Sequence, residues 1–152
     1  KSKSSLPWFY RYCNHRYFLM PRQVIVYSGD DGFCNVVIPS EQCVLSDEDI
    51  IAKDVPVTEY SLIAHTDLPT STFRKAWTYN HSSSTVDVDL ASAKEITTSI
   101  LESRYLATEK ENEEITRVAN MRGQTPELLD NPAVPYTSIN AKKSVNGLLS
   151  LL

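Results

Sequence analysis

Three cysteines, Cys13, Cys34 and Cys43, and one histidine, His65, are the residues with which this 152-residue chain could do covalent chemistry. A thiol beside an imidazole supplies a nucleophile and its base, but the pair needs a third group to orient it. Cys34 or Cys43 with His65 is the one candidate pair, and no spacing in the sequence supplies that third group. Zinc would want paired ligands such as C-x-x-C with matching histidines, whereas the nearest histidine to any cysteine is His15, two residues from Cys13. An odd number of widely spaced cysteines reads as free thiols rather than a disulfide scaffold, which suits a reducing cytosol.

Three groups of acids could hold a cation. Asp30 and Asp31 sit in Ser28-Gly29-Asp30-Asp31-Gly32, between two β-rich runs. A calcium loop needs alternating oxygen ligands and a distal bidentate Glu, which this stretch lacks, so it reads as a turn. Asp47, Glu48 and Asp49 follow Ser46, a good N-cap, and acids in a first helical turn complement the helix dipole. Asp87 and Asp89 alternate on one face of a short strand, where Asp89 can cap the helix that follows; Ser92 with Glu95 also fits a capping box. The residues therefore predict no catalytic set, no metal and no cofactor.

The elements that would position these residues are more legible. Val24 to Tyr27 and Phe33 to Ile38 form a hairpin, and Pro39 ends its second strand. Asp47 to Lys53 reads as a short helix stopped at Pro56. Tyr60 to His65 reads as a strand. Thr70 to Lys75 forms a helical turn that puts Phe73 and Trp77 on similar sides. Ala76 to Tyr79 and Thr85 to Asp89 then form two strands around a polar loop. Leu90, Ala93, Ile96, Ile100 and Leu101 open an apolar stripe at helical spacing, which fades at Glu109 to Glu114 and resumes at Ile115. Gly123 is a natural stop. One helix of about thirty residues, about 45 Å long, fits this pattern, as do two with a break near Thr108. A single helix that long outruns a small domain, so its far half would want a partner. Thr125 to Leu129 reads as a capped single turn, followed by a Pro-rich connector and the apolar end Leu148-Leu149-Ser150-Leu151-Leu152.

The resulting fold class is α+β, with four regions: a basic aromatic arm over 1–19, a small β-rich domain over 20–89, a helical arm over 90–123, and an extended tail over 124–152. Residues 1–19 read as an arm upstream of a compact unit, a processed N-terminus, or residues upstream of the true start at Met20. The hydrophobic fraction, 41%, permits a modest core. No run approaches the roughly 18 apolar residues of a membrane span, so no membrane partner is expected.

Charge is unevenly spread. Lys1, Lys3, Arg11, Arg16 and Arg22 are accompanied by no acid. Of the chain's 15 basic residues the other ten lie beyond Arg22, against all 19 acids, a net of −9. Such a body does not bind phosphate backbones by general electrostatics, which leaves only the arm as a nucleic-acid contact, through Trp8, Phe9, Tyr10, Arg11 and Arg16. The same five residues, with Phe73, Trp77, Leu148, Leu149, Leu151 and Leu152, are the candidate protein-interaction residues, because large apolar and aromatic side chains dominate both cores and interfaces.

Val37 to Ser40, Asp47 to Ile51, Ala52-Lys53-Asp54-Val55-Pro56, Asp67-Leu68-Pro69, Phe73-Arg74-Lys75-Ala76-Trp77, Val86-Asp87-Val88-Asp89-Leu90 and Ala93-Lys94-Glu95-Ile96 occur in this order. Over Met20 to Met121 the chain resembles a family of small uncharacterised proteins encoded by tailed bacteriophages and prophages, often beside tail and tail-fibre genes. The basic arm and the segment from Asn131 depart from that pattern. The resemblance implies a virion or tail-associated structural protein, made in the host cytoplasm and contacting other phage structural proteins or further copies of itself. The alternative it leaves open is a non-virion phage protein, either a tail assembly chaperone or an inhibitor of a host factor acting through its acidic surface. No chemistry transfers from the family to any residue.

Overall fold

The computed structural model describes residues 23–40 and 43–152. The Trp8 to Arg16 candidates, and Cys13 with them, lie outside the described residues. The architecture is α+β: small antiparallel sheets joined to a long helix.

The first sheet has the order β2-β1-β3, from β1 (Gln23–Ser28), β2 (Cys34–Val37) and β3 (Tyr60–Ala64). The β1–β2 turn closes through the Gly29 amide, which donates to the Phe33 carbonyl at 2.8 Å. Gly32 takes a positive φ of 79° that a side chain would oppose. β1 is buried on both faces, because successive side chains alternate. Val24 and Val26 pack with Ile63, Trp77 and Val86 on one face, while Ile25 packs with Ile50 and Val55 on the other. That second face is covered by α1 (Asp47–Asp54), whose Ser46 Oγ accepts the Asp49 amide at 3.2 Å.

The first face is covered by a two-stranded sheet of β4 (Trp77–Asn80) and β5 (Thr85–Val88), in which Trp77 pairs with Val88 and Tyr79 with Val86. A hydroxyl clasp joins the two sheets at the loop end: Ser61 Oγ lies 2.6 Å from Tyr79 Oη and donates to Ser84 Oγ at 3.0 Å.

Between β3 and β4 runs a 3-10 segment, Ser71–Ala76. Phe73 and Trp77 do not share a side. Phe73 leaves helical geometry at φ −105°, ψ 27°, and enters a separate core with Ala76, Ala93, Ile139 and Leu148. Trp77 has already joined β4 and points between the sheets.

The helix α2 runs unbroken over Leu90–Met121, 32 residues or about 48 Å. Of the two readings of this stretch the single helix holds and the break near Thr108 does not occur; Thr108 donates to the Arg104 carbonyl one turn back at 3.0 Å. Asp89 is the N-cap, with Oδ2 accepting the Ser92 amide at 2.8 Å. Gly123, at φ 65°, ends the helix in a Schellman motif: Gln124 donates to Ala119 at 2.9 Å and Gly123 to Asn120 at 3.2 Å.

Two readings of the tail are corrected here. Thr125 to Leu129 is not a helical turn, because the Asn112 side chain takes both backbone groups of Leu129, at 2.7 and 3.0 Å. Residues 136–149 are not extended: α3 (Tyr136–Ala141) and α4 (Val145–Leu149) form where Ile139 and Leu148 can be buried against α2. The chain thus supplies its own cover for the helix. Asn131 Nδ2 donates to the Tyr105 carbonyl and Lys94 Nζ to the Asn140 carbonyl, so the return runs antiparallel to α2.

Trp77 is 4% exposed and its indole N–H donates to the Thr70 carbonyl at 3.2 Å. Trp77→Ala is expected to cost about 3–5 kcal/mol in chemical denaturation; an unchanged midpoint would remove Trp77 from the core. Hydrogen bonds from Ser92 hold the Asp89 carboxyl below the usual aspartate range. A depressed carboxylate stabilises above its unfolded pKa and loses that contribution as pH falls through its folded one. Asp89→Ala is therefore expected to cost about 1 kcal/mol at neutral pH. Urea titrations of both proteins should converge as the pH falls through the depressed pKa of Asp89, where the cap becomes protonated.

Candidate interaction surfaces

Cys34 and His65 are kept apart. Cys34 pairs with Ser28 at one end of β1, while Ala64, just before His65, pairs with Gln23 at the other. Five residue steps along β1 separate those rungs, about 17 Å. Cys43 packs with the Ile25–Ile50–Val55 core and Cys34 with the Val24–Val26 core, so the two thiols lie on opposite faces of the sheet. Burial pushes the Cys34 thiol up to about 11, against a smaller opposing pull from the nearby Arg74 charge.

The acids have structural partners. Asp31 Oδ1 accepts the Phe33 amide at 3.1 Å inside the hairpin turn. Asp47, Glu48 and Asp49 occupy the first turn of α1, where Asp49 accepts the Ser46 hydroxyl at 2.9 Å. Asp89 caps α2. Among the described residues no three His, Cys, Asp or Glu side chains gather as a metal site, and no helix is long and apolar enough to cross a membrane.

Of the candidate interaction residues described, Phe73, Trp77 and Leu148 are buried in the chain's own cores. Leu149, Leu151 and Leu152 pack against Leu148 and Phe73, and Arg104 donates to the Leu152 carbonyl oxygen. The leucine-rich end is docked on α2. These side chains shape the molecule, and the apolar surface that is exposed lies elsewhere.

Three surfaces fill that role. One is a cleft of about 530 Å³ beside β2, lined by Tyr27, Phe33 and Cys34 with Arg74 and Lys75; the Arg74 guanidinium also lies 5.9 Å from the Trp77 ring centre. A second is less continuous: Ile38 and Leu45 are exposed between β2 and α1, and Leu62 is exposed on β3, the opposite edge of the sheet. The third is the far end of α2. There Ala119 is the one residue buried beyond Thr97, and Met121 and Leu128 are 76% and 57% exposed. A groove of about 650 Å³ runs between α2 and the returning chain, with Ile115, Val118, Ala119 and Pro126 as its floor and Glu114 and Glu127 on its rim.

Sequence reasoning missed this groove. Its signals were present: Ile115, Val118 and Ala119 at helical spacing, then Gly123 to stop the helix. Nearby, Glu109, Glu111 and Glu113 are exposed on α2. Arg117 with Glu114, 2.6 Å apart, is the single salt bridge among the described residues.

No protein-family model matches this chain. No curated protein and no solved structure matches it. The geometry defines a class, an α+β unit with exposed apolar side chains beside β2, between β2 and α1, on β3 and at the far end of α2.

The half-buried Cys34 thiol is expected to react slowly. With a pKa near 11, its thiolate fraction at pH 8 falls roughly a hundredfold below that of an ordinary cysteine. Timed iodoacetamide labelling of the native protein, mapped by mass spectrometry, should modify Cys34 at least that much more slowly than after denaturation. Equal rates would show that the thiol is open to solvent.

Proposed function

We propose that this chain is a virion or tail-associated structural protein of a tailed bacteriophage that works by protein–protein contact. The observation that carries the reading is the form of α2: its first half is packed into a core with Phe73, Ile139 and Leu148, while its far end offers an apolar groove and exposed Met121, Leu128 and Leu129. A capped helix anchored at one end is a rigid way to present such a surface. The ordered resemblance from Val37 to Ile96 supplies the phage context. The placement of Cys34 and His65 at opposite ends of β1 gives no support to a thiol hydrolase.

A second reading, a non-virion phage protein directed at assembly or a host factor, draws on the acidic surface. Glu109, Glu111 and Glu113 are exposed, and one salt bridge serves all the described residues. A surface of that sign steers basic partners.

Mass spectrometry of gradient-banded particles separates the two. The structural reading expects peptides of this chain at a fixed ratio to the other particle proteins. Absence from particles, with abundance in the infected-cell lysate, would overturn it in favour of the second.

A further inference from the structure

Hydrogen bonding in the three-stranded sheet fixes which backbone groups of its edges are left over. The Gly29 amide donates to the Phe33 carbonyl at 2.8 Å, so that rung of the hairpin is a bonded one. Bonded and non-bonded rungs alternate along an antiparallel pair. Tyr27–Asn35 and Ile25–Val37 are therefore the next bonded rungs. Val24 and Val26 turn their backbone groups the other way, to Ile63 and Ser61 of β3. The N–H and C=O groups of Tyr60, Leu62 and Ala64 then point out of the sheet, and among the described residues no strand lies beyond β3.

That edge lacks the usual protection. Exposed edges are ordinarily blunted by charge, proline or a bulge. Tyr60-Ser61-Leu62-Ile63-Ala64 holds no charge and no proline, and it pairs with β1 without a bulge. Tyr60 and Leu62 are 37% and 39% exposed on it. β2, the opposite edge, is one residue shorter and has Arg74 and Lys75 in the cleft beside it.

We propose that β3 pairs antiparallel with β3 of a second copy about a two-fold axis at Leu62, joining two three-stranded sheets into one. Leu62 is the middle residue of the strand, so this register alone pairs all five residues of both copies. It is also an outward-facing residue, so the central rung is a bonded one. Leu62 meets Leu62, and Tyr60 meets Ala64 on either side; these rungs exchange about six hydrogen bonds. The exposed Tyr60 and Leu62 side chains share one face of the pleat, so each copy covers those of the other. Just beyond the strand, the same register sets Glu59 of each copy opposite His65 of the other, and both residues are exposed. A carboxylate accepts a hydrogen bond from an imidazole N–H in either charge state of the ring. No like charges meet along the seam. Both halves of the contact are one surface, so it closes as a dimer and does not propagate. The pairing is a property of the purified chain and is independent of the virion reading.

Sedimentation velocity of the full chain from about 1 to about 500 μM is expected to show a monomer–dimer equilibrium. Leu62→Lys and Leu62→Glu each set like charges across the axis, and each should weaken the dimer roughly tenfold or more. Mixing the two variants in equal amounts should restore it, because lysine then faces glutamate; a folding defect would not produce that rescue. Hydrogen exchange resolved by NMR reads the backbone. The amides of positions 62 and 64 should be protected in the dimer and exchange fast in Leu62→Lys, while those of Ser61 and Ile63, bonded to β1, stay protected in both. A wild-type chain that remains monomeric over that range would overturn the contact. A dimer that neither variant weakens, or a mixture that associates no better than its components, would place the interface elsewhere and overturn it too. Protection of positions 62 and 64 in a monomer would give the edge to another segment of the same chain, against the proposal.

Discussion

The five residues from Phe73 to Trp77 connect two cores, and the rest of the molecule depends on that connection. Phe73 is fully buried with Ala93, Ile139 and Leu148, and Trp77 is buried with Val24, Val26 and Val86. A regular helix through this segment would place the two rings about one turn apart on one face. The departure at Phe73 turns them into different cores. Two hydrogen bonds hold the turn: the Trp77 indole to the Thr70 carbonyl, and the Asp89 amide to the Ala76 carbonyl at 2.8 Å. The second also fixes where β5 ends and α2 begins. Val88, packed against both cores, makes the same connection through apolar contact. The direction in which α2 leaves the sheets is set here.

Support along α2 then changes in kind. Near its start it is apolar, from Ala93 and Leu90 against Phe73, Ile139 and Leu148. Further along it is mostly polar: the Tyr136 hydroxyl donates to Glu102 at 2.7 Å, and the Asn112 amide grips Leu129. Hydrogen bonds of exposed groups contribute about 1 kcal/mol each, against several for a buried large side chain. The far end is therefore held more weakly than the base, and local opening of a helix begins where buried contacts are fewest. Weak cover is also what leaves Ile115 and Val118 available as a groove.

Much of the fold was legible from the sequence. Alternation located the strands, and Ser46, Asp89 and Gly123 marked helix ends by chemistry that acts within a few residues. What escaped was set by contacts between residues distant in sequence. The Thr125–Leu129 stretch looks locally like a capped turn, but the amide 17 residues away in Asn112 holds it otherwise. Residues 136–149 form helices of only six and five residues, too short to display a helical period, and form them because Ile139 and Leu148 find α2. The leucine-rich end and the Phe73–Trp77 pair were legible as important anchors, while the surface each would face was not. The groove escaped for the same reason: half of it is a returning chain whose path no local pattern specifies.

Electrostatics gives the outer surface its character. A body of −9 with one salt bridge among the described residues gains little from its own ion pairs, and exposed pairs contribute about 0–1 kcal/mol in any case. Its acids act mainly on other molecules. Two such bodies repel at distances within the Debye length, about 8 Å at physiological salt. Close association between copies then requires either apolar burial that outweighs the repulsion or a cationic segment that cancels it. The first 22 residues are the part of this chain with that sign, and the far end of α2 is where acidic charge and exposed apolar surface coincide. Residues 1–22 hold five of the 15 basic residues and no acid, so net positive charge is concentrated there, while the other ten basic residues are spread through a body that their number does not neutralise.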